Sequence, residues 1–392
     1  MLSATLYSNP LNRNSSDRLL DVVFTAASKQ VDFPIDLILI VDRSGSMEDT
    51  IEQVKETLLV IHRFVTEKCT RQVNLNLISF ATDASVDYPN GDISFVDAVN
   101  NILADGVTNM SDALFLAKTI AQKNPDNYKT IIMLSDGMPN RGAAQSVDQL
   151  SQLSSEIDRA CRQKLTKISI GYGEEYNPKL LAMLGEFSYA RNMGDVREII
   201  PCALGRAFTS YGYGGTFNIN QLYNRVVIGE TSVGSIFNEQ VYHLGLAVNL
   251  DAIDLSKEIS FKYFDLDSEA EIVLTTKINI DQIIPPNVMG MYHEAACARM
   301  LERYQTKFVR QTITKDEIIL IQDRIMRWFD SPTKDACMQR IEDMMARKSN
   351  DHKTIELLCV STKQRTVKMG DDGHGYTTTS QRVFCDTMND MY

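Results

Sequence analysis

Residues 35–46 read Ile-Asp-Leu-Ile-Leu-Ile-Val-Asp-Arg-Ser-Gly-Ser, an apolar run that ends abruptly in a carboxylate and two hydroxyls. A run this short and this apolar suits a central strand covered by helices on both faces. The stretch that follows changes period: over 48–67, Ile51, Val54, Leu58, Ile61 and Val65 fall on one face of a helix. Thr130–Leu134 (TIIML) repeats the apolar pattern, Val73–Phe80 and Lys167–Tyr172 are further strands, and Ser85–Tyr88 and Tyr189–Met193 suit sheet edges. Asn177-Pro178 marks a helix start, with an N-cap side chain followed by proline at the first helical position. The alternation predicts a doubly wound α/β unit with a mostly parallel six-stranded sheet and right-handed crossovers. In the strand order 3-2-1-4-5-6, strands one and four are neighbours at the switch point, where open α/β sheets bind ligands.

Outward from this unit the pattern changes twice. After the glycine cluster Tyr211–Gly215, read as a hinge or linker, period-2 runs such as VYHLGLAVNL, EISFKYFDL and EIVLTTKINI predict a small antiparallel β-sandwich. A strand at 20–27 (LDVVFTAA) precedes the α/β unit in a segment too short to fold alone, so it is expected to join that later sheet. Beyond Pro285-Pro286, helical periodicity returns over Met289–Phe308, Lys315–Phe329 and Thr333–Arg347, with Thr314 and Glu317 forming a capping box. The expected division is 1–33 (N-terminal strand), 34–212 (α/β domain), 213–286 (β-sandwich), 287–361 (helical bundle) and 362–392 (extended tail).

Composition removes several function classes. The 392 residues carry 40 Lys plus Arg against 51 Asp plus Glu, a net charge of −11, and no basic run tracks a phosphate backbone, so nucleic acid is not an expected partner. The longest apolar run, Leu37–Val41, is far short of the ~20 residues that span a bilayer. The N-terminal stretch does not read as a secretory signal. Seven scattered cysteines without a CxxC pair fit reduced thiols in a cytoplasmic compartment and exclude zinc-ribbon or RING spacing.

Chemistry concentrates at the strand ends. Asp42, Ser44 and Ser46 form Asp-x-Ser-x-Ser at the end of the first central strand, Thr108 precedes a helix expected at Ser111–Ala121, and Asp136 stands before Gly137 at the end of the fourth. Taken singly, each element is equally an N-cap or an Asp-Gly turn. Together and in this order they resemble the metal-ion-dependent adhesion site of the von Willebrand factor type A family, over roughly residues 34–212. The resemblance implies a Rossmann-like type A fold and a Mg²⁺ site, with Mn²⁺ or Ca²⁺ as alternatives, at Asp42, Ser44, Ser46, Thr108 and Asp136. In the family the serines bind directly, the threonine does so in the high-affinity state, and the aspartates act largely through water. A cation in a shell poor in negative charge stays electrophilic and takes an Asp or Glu carboxylate from a partner protein.

The implied function is a Mg²⁺-dependent protein-interaction module, an adaptor or assembly component, and not an enzyme. GxSxG, HExxH, Walker and GxGxxG motifs are absent. Metal-assisted hydrolysis through Asp42 and Asp136 is the weaker reading, because no general acid or base accompanies them. A structural component with a vestigial metal site is the alternative. The element order also resembles intracellular type A proteins whose C-terminal region is of the Hint-associated type. Some of these act in the ubiquitin pathway through a RING domain, and this sequence lacks the spacing for one. His62 falls near the apolar stripe of its helix and is expected to pack, His243 and His293 lack a second histidine at ligand spacing, and Met338, Met344 and Met345 are expected in the core or a bundle contact, with protein recognition as the alternative use of a methionine surface.

Overall fold

The computed structural model describes residues 1–11, 16–29, 32–69, 71–136, 138–162, 164–172, 177–190, 193–219, 225–250, 253–309, 313–328 and 332–346. The expected tail at 362–392 and the last part of the expected bundle, 347–361, lie outside the described residues.

Two strands, β1 (Leu2–Pro10) and β2 (Arg18–Thr25), come before the α/β unit. The unit is built on β3 (Ile35–Asp42), β4 (Val73–Phe80), β5 (Ala84–Tyr88), β6 (Tyr128–Ser135), β7 (Leu165–Tyr172) and β8 (Glu186–Ala190). They form one six-stranded sheet in the order β5-β4-β3-β6-β7-β8, parallel except for β5. In the counting used above this is 3-2-1-4-5-6, with β3 and β6 adjacent at the switch point. Every residue of β3 and β6 is buried. Alternation explains how: Ile35, Leu37, Leu39 and Val41 face one core, while Ile38 and Ile40 face the other.

Helices α1 (Ile51–Glu67), α2 (Phe95–Asn100) and α6 (Met193–Thr209) cover the first face. Helices α3 (Met110–Lys123), α4 (Val147–Ala160) and α5 (Pro178–Leu184) cover the second. Asn177 caps α5 by accepting the Leu180 N–H at 3.0 Å.

From α6 the chain passes straight into β9 (Ser210–Asn218), then through β10 (Arg225–Ile228), β11 (Ser232–Phe237), β12 (Val241–Val248), β13 (Ile259–Asp265), β14 (Ala270–Thr276) and β15 (Ile278–Asp281). These strands build two sheets, ordered β10-β12-β2-β1-β15 and β11-β9-β13-β14. All described pairs are antiparallel except β1 with β15, which run parallel. The sheets share one core, in which the Phe24 and Phe261 rings stack with centroids 4.1 Å apart.

The glycine cluster is not a hinge. It lies inside β9, where a Cβ on Gly215 would meet Val233 Cγ2 at 2.4 Å and Phe261 Cζ at 2.7 Å, so neighbouring side chains use the space. Gly214, at φ +66°, supplies the extra residue of a bulge between the Thr216–Lys262 and Tyr213–Phe264 pairs.

Three helices follow: α7 (Pro286–Val309), α8 (Lys315–Met326) and α9 (Pro332–Ala346). Cys297, Tyr304, Ile325, Trp328 and Ile341 form their common core. The first turns of α7 instead pack Val288, Met291 and Tyr292 against Leu19, Val227 and Ala247 of the sandwich. The Thr314–Glu317 capping box is formed. Among the described residues no helix is long and apolar enough to cross a membrane.

The α/β unit is fastened to the sandwich by buried polar groups. The Tyr128 hydroxyl meets Thr166 Oγ1 and Ser235 Oγ at 2.7 Å each and accepts from Ser210 Oγ at 2.9 Å. Arg71 donates to the Phe208 carbonyl at 2.6 Å and to the Phe33 carbonyl at 2.8 Å, tying the end of α6 to the entry of β3.

Candidate metal centre

The carboxyl ends of β3 and β6 lie side by side, and the chemistry collects there. Asp42, the last residue of β3, is fully buried. Its Oδ1 accepts the Ser44 N–H at 2.9 Å, which closes a tight turn, and its Oδ2 accepts the Ser135 hydroxyl at 2.6 Å. Ser44 is extended (φ −61°, ψ 163°) and opens a single 3-10 turn at Gly45–Met47. Its Oγ lies 3.2 Å from Ser46 Oγ, and Ser46 in turn donates a short hydrogen bond to Asp136 Oδ2. Asp136 follows β6 directly, and its Oδ1 accepts the Met138 N–H at 3.1 Å.

Thr108 comes from a different connection. Gly45 N–H donates to the Gly106 carbonyl at 3.1 Å and Asp105 N–H donates to the Arg43 carbonyl at 2.8 Å, stitching the Thr108 loop to the Asp42–Ser46 loop. Asn140 holds Thr108 from beyond β6: its Oδ1 accepts the Thr108 N–H at 2.8 Å, and its N–H donates to the Thr108 carbonyl at 3.1 Å. Asn109 then caps α3, accepting the Asp112 N–H at 3.3 Å. The structure thus links Asp42, Ser44, Ser46 and Asp136 in one run of close side-chain contacts and bonds the Thr108 loop to the same edge through its backbone.

Burial, together with the charge of Asp136, pushes the Asp42 carboxyl up to about 6, against the opposing pull of the bonds from Ser135 and Ser44. Two carboxylates therefore share a site where each raises the cost of ionising the other. A divalent cation reverses that cost, and the three hydroxyls of Ser44, Ser46 and Thr108 with the two carboxylates are the hard oxygen donors Mg²⁺, Mn²⁺ or Ca²⁺ prefer. The donor set therefore fits such an ion. Among the described residues no group of three or more His, Cys, Asp or Glu is arranged to hold a metal, so a site here has to draw on hydroxyls.

The family model for the von Willebrand factor type A domain matches residues 36–199. The chain carries a type A domain. Among solved structures, a von Willebrand factor type A protein from Catenulispora acidiphila shares 15% identity and a TM-score of 0.56, covering 99% of this chain and 95% of its own. At that identity the likeness is one of fold, and it extends across the sandwich and the helices. The ArnB paralog VWA2 from Sulfolobus acidocaldarius, at 14% identity and a TM-score of 0.49, covers 99% of this chain and 97% of its own. Proximal thread matrix protein 1 from the mussel byssus, solved with a zinc-occupied MIDAS motif, aligns at 13% identity and a TM-score of 0.36 over 53% of this chain and 52% of its own. No curated protein matches the chain.

Sequence reasoning passed over Ser135 and Asn140 as members of the type A domain's site. Ser135 had a signal, since it precedes Asp136 on the strand beside β3, and the register pairing Val41 with Leu134 sets it beside Asp42. Asn140 had none, because its role depends on how the loop after β6 returns to Thr108. His62 stacks on Phe95 at 4.8 Å and His293 stacks on Trp328 at 4.7 Å, whereas His243 Nδ1 makes a polar contact with Asp21 Oδ1 at 3.2 Å. Met338 packs against the helical core, and Met344 and Met345 lie in α9.

Proposed function

We propose that the chain is a Mg²⁺-dependent protein-binding module, an adaptor or assembly component of the cytoplasm, and that Asp42, Ser44, Ser46, Thr108 and Asp136 hold the ion. Type A domains are generally protein-interaction modules, and residues 36–199 form one. The observation that carries the reading is the contact run from Ser135 through Asp42 and from Ser44 through Ser46 to Asp136, rich in hydroxyls and holding only two carboxylates. Neutral oxygens leave most of the ion's charge uncompensated, so it accepts an Asp or Glu carboxylate offered by a partner. Mn²⁺ or Ca²⁺ would fit the same donors. The chain's own part is to hold these oxygens in place: Ser135 orients Asp42, Met138 N–H orients Asp136, and Asn140 fixes the Thr108 backbone.

Catalysis is not part of the reading, because both carboxylates of the set serve as ligands of the ion and the hydroxyl-rich shell suits ligand capture better than water activation. Affinity capture from a cell extract, with and without EDTA, tests the function. Partner recovery should vanish with chelation and with Asp42→Ala or Thr108→Ala, while circular dichroism stays unchanged. Recovery indifferent to all three would leave a structural component with a vestigial site. Mg²⁺-dependent phosphatase or nuclease turnover lost in Asp136→Ala would make it a hydrolase.

A further inference from the structure

Strand β15 (Ile278–Asp281) ends the sheet β10-β12-β2-β1-β15, and among the described residues no strand pairs with its outer side. That side presents backbone donors and acceptors to solvent. The chain that follows leads away from it. Val288 and Met291 of α7 pack on Leu19, Val227 and Ala247, which belong to β2, β10 and β12, beyond β1. Asn279, Ile280, Asp281, Gln282 and Ile283 are all exposed.

One of them is misplaced for a solvent edge. The parallel register with β1 sets Ile278 beside Ala4 and Ile280 beside Leu6, so both isoleucines point to the inner face of the sandwich. Ala4 and Leu6 are 0% and 1% exposed, whereas Ile280 is 63% exposed. The opposite sheet stops short of it, and the sandwich core is unsealed at this corner.

The segment Lys277-Ile278-Asn279-Ile280-Asp281 is also its own complement. Laid antiparallel on a second copy, about a two-fold axis at Asn279, it sets Lys277 opposite Asp281 in both directions and Ile278 opposite Ile280. Opposite charges and β-branched side chains directly across an antiparallel ladder stabilise it. Moving the axis by one residue removes both ion pairs, and parallel in-register pairing stacks Lys on Lys and Asp on Asp.

We infer that β15 is a homodimer contact: the same strand of a second copy of this chain adds to it antiparallel, joining the two sheets and covering Ile280. The pairing is isologous, so it closes at two copies and uses up both edges. Metal binding plays no part in it. A pair of such short strands is a small contact, of the size of transient complexes, so association belongs in the micromolar range.

Sedimentation velocity of the full chain, from about 1 to 200 μM protein, tests it. In ~0.15 M salt, charges further apart than ~8 Å are screened, which mutes the −11 carried by each copy. The mean mass should climb from that of one chain toward that of two. Lys277→Asp alone and Asp281→Lys alone each set like charges across the ladder and should raise the dissociation constant about tenfold. Both positions are exposed, so circular dichroism should not change. Combining Lys277→Asp with Asp281→Lys rebuilds both ion pairs and should restore association. A chain that stays monomeric throughout, a dimer indifferent to the single reversals, or one that the double reversal fails to rescue overturns the inference.

Discussion

Ser135 donates a 2.6 Å hydrogen bond to Asp42 Oδ2, from the last residue of β6 to the last of β3. Ser135 is therefore a positioning residue for the carboxylate that the metal reading needs. Removing such a partner commonly costs ten- to a hundredfold in metal affinity. Ser135→Ala is expected to weaken Mn²⁺ binding, followed by calorimetry, by about tenfold while the protein stays folded. An unchanged affinity would show that Asp42 is held well enough by Ser44 alone.

Tyr128→Phe should separate stability from binding. The hydroxyl it removes contacts Thr166, Ser235 and Ser210 inside the join between the α/β unit and the sandwich, at the edge of the sheet opposite the metal centre. Leaving Ser210 Oγ without that acceptor should lower unfolding stability by about 1–2 kcal/mol in urea titration. Mn²⁺ affinity should not move.

Gly142 has φ +102°, and a Cβ there would lie 2.1 Å from Asn109 Oδ1 and 2.2 Å from Ser111 Oγ. Gly142→Ala is thus expected to push Asn109 out of its capping position on α3 and disturb the neighbouring Thr108. The outcome is a loss of about 2 kcal/mol or more together with weakened Mn²⁺ binding. Gly91→Ala is the control: its φ is +59° but nothing lies within 4 Å of the added carbon, so only backbone strain should appear, without an effect on the metal.

His293 gives the helical bundle a pH dependence. Burial, with help from the charge of Lys334, lowers its pKa from 6.5 to about 4. The unfolded chain therefore binds this proton more readily, and its contribution, complete above pH ~6.5, is lost as pH falls toward 4. At pH 5 the loss should be ~2 kcal/mol relative to neutral pH. His293→Phe keeps a ring against Trp328 and should flatten this part of the stability profile in denaturant titrations between pH 7 and 5. An unaltered slope would place the acid sensitivity elsewhere.

Much of the type A fold was legible because its central strands carry their burial on their faces. Leu37–Val41 and Ile131–Leu134 are apolar on both sides, and only a doubly covered sheet accepts that. The site was legible for a related reason: parallel strands deliver their carboxyl ends to one edge, so Asp42 and Asp136 had to meet there. Where the reading fell short, the missing information was register or distant pairing. The local pattern of β1, LSATLYSNP, is weak, and its partner Ile278 lies far along the chain from Ala4. Gly212 and Gly215 looked like points of bending because a sequence shows no neighbours, whereas the crowded side chains of Val233, Phe261 and Tyr263 explain them. Ser135 became visible only once Leu134 was paired with Val41.

Helix α6 ends at Thr209 and β9 begins at Ser210, with no residue between them. A joint without slack makes the protein a bracket rather than a tether. Whatever sits at the metal-centre edge and whatever holds the sandwich are kept at one spacing and one angle, set by the solid body and not by the sampling of a flexible connection. In an assembly, such a part dictates the geometry of what it joins. A few glycines inserted at the Thr209–Ser210 bond, combined with Tyr128→Phe to weaken the buried contacts across the join, would loosen that dictated angle.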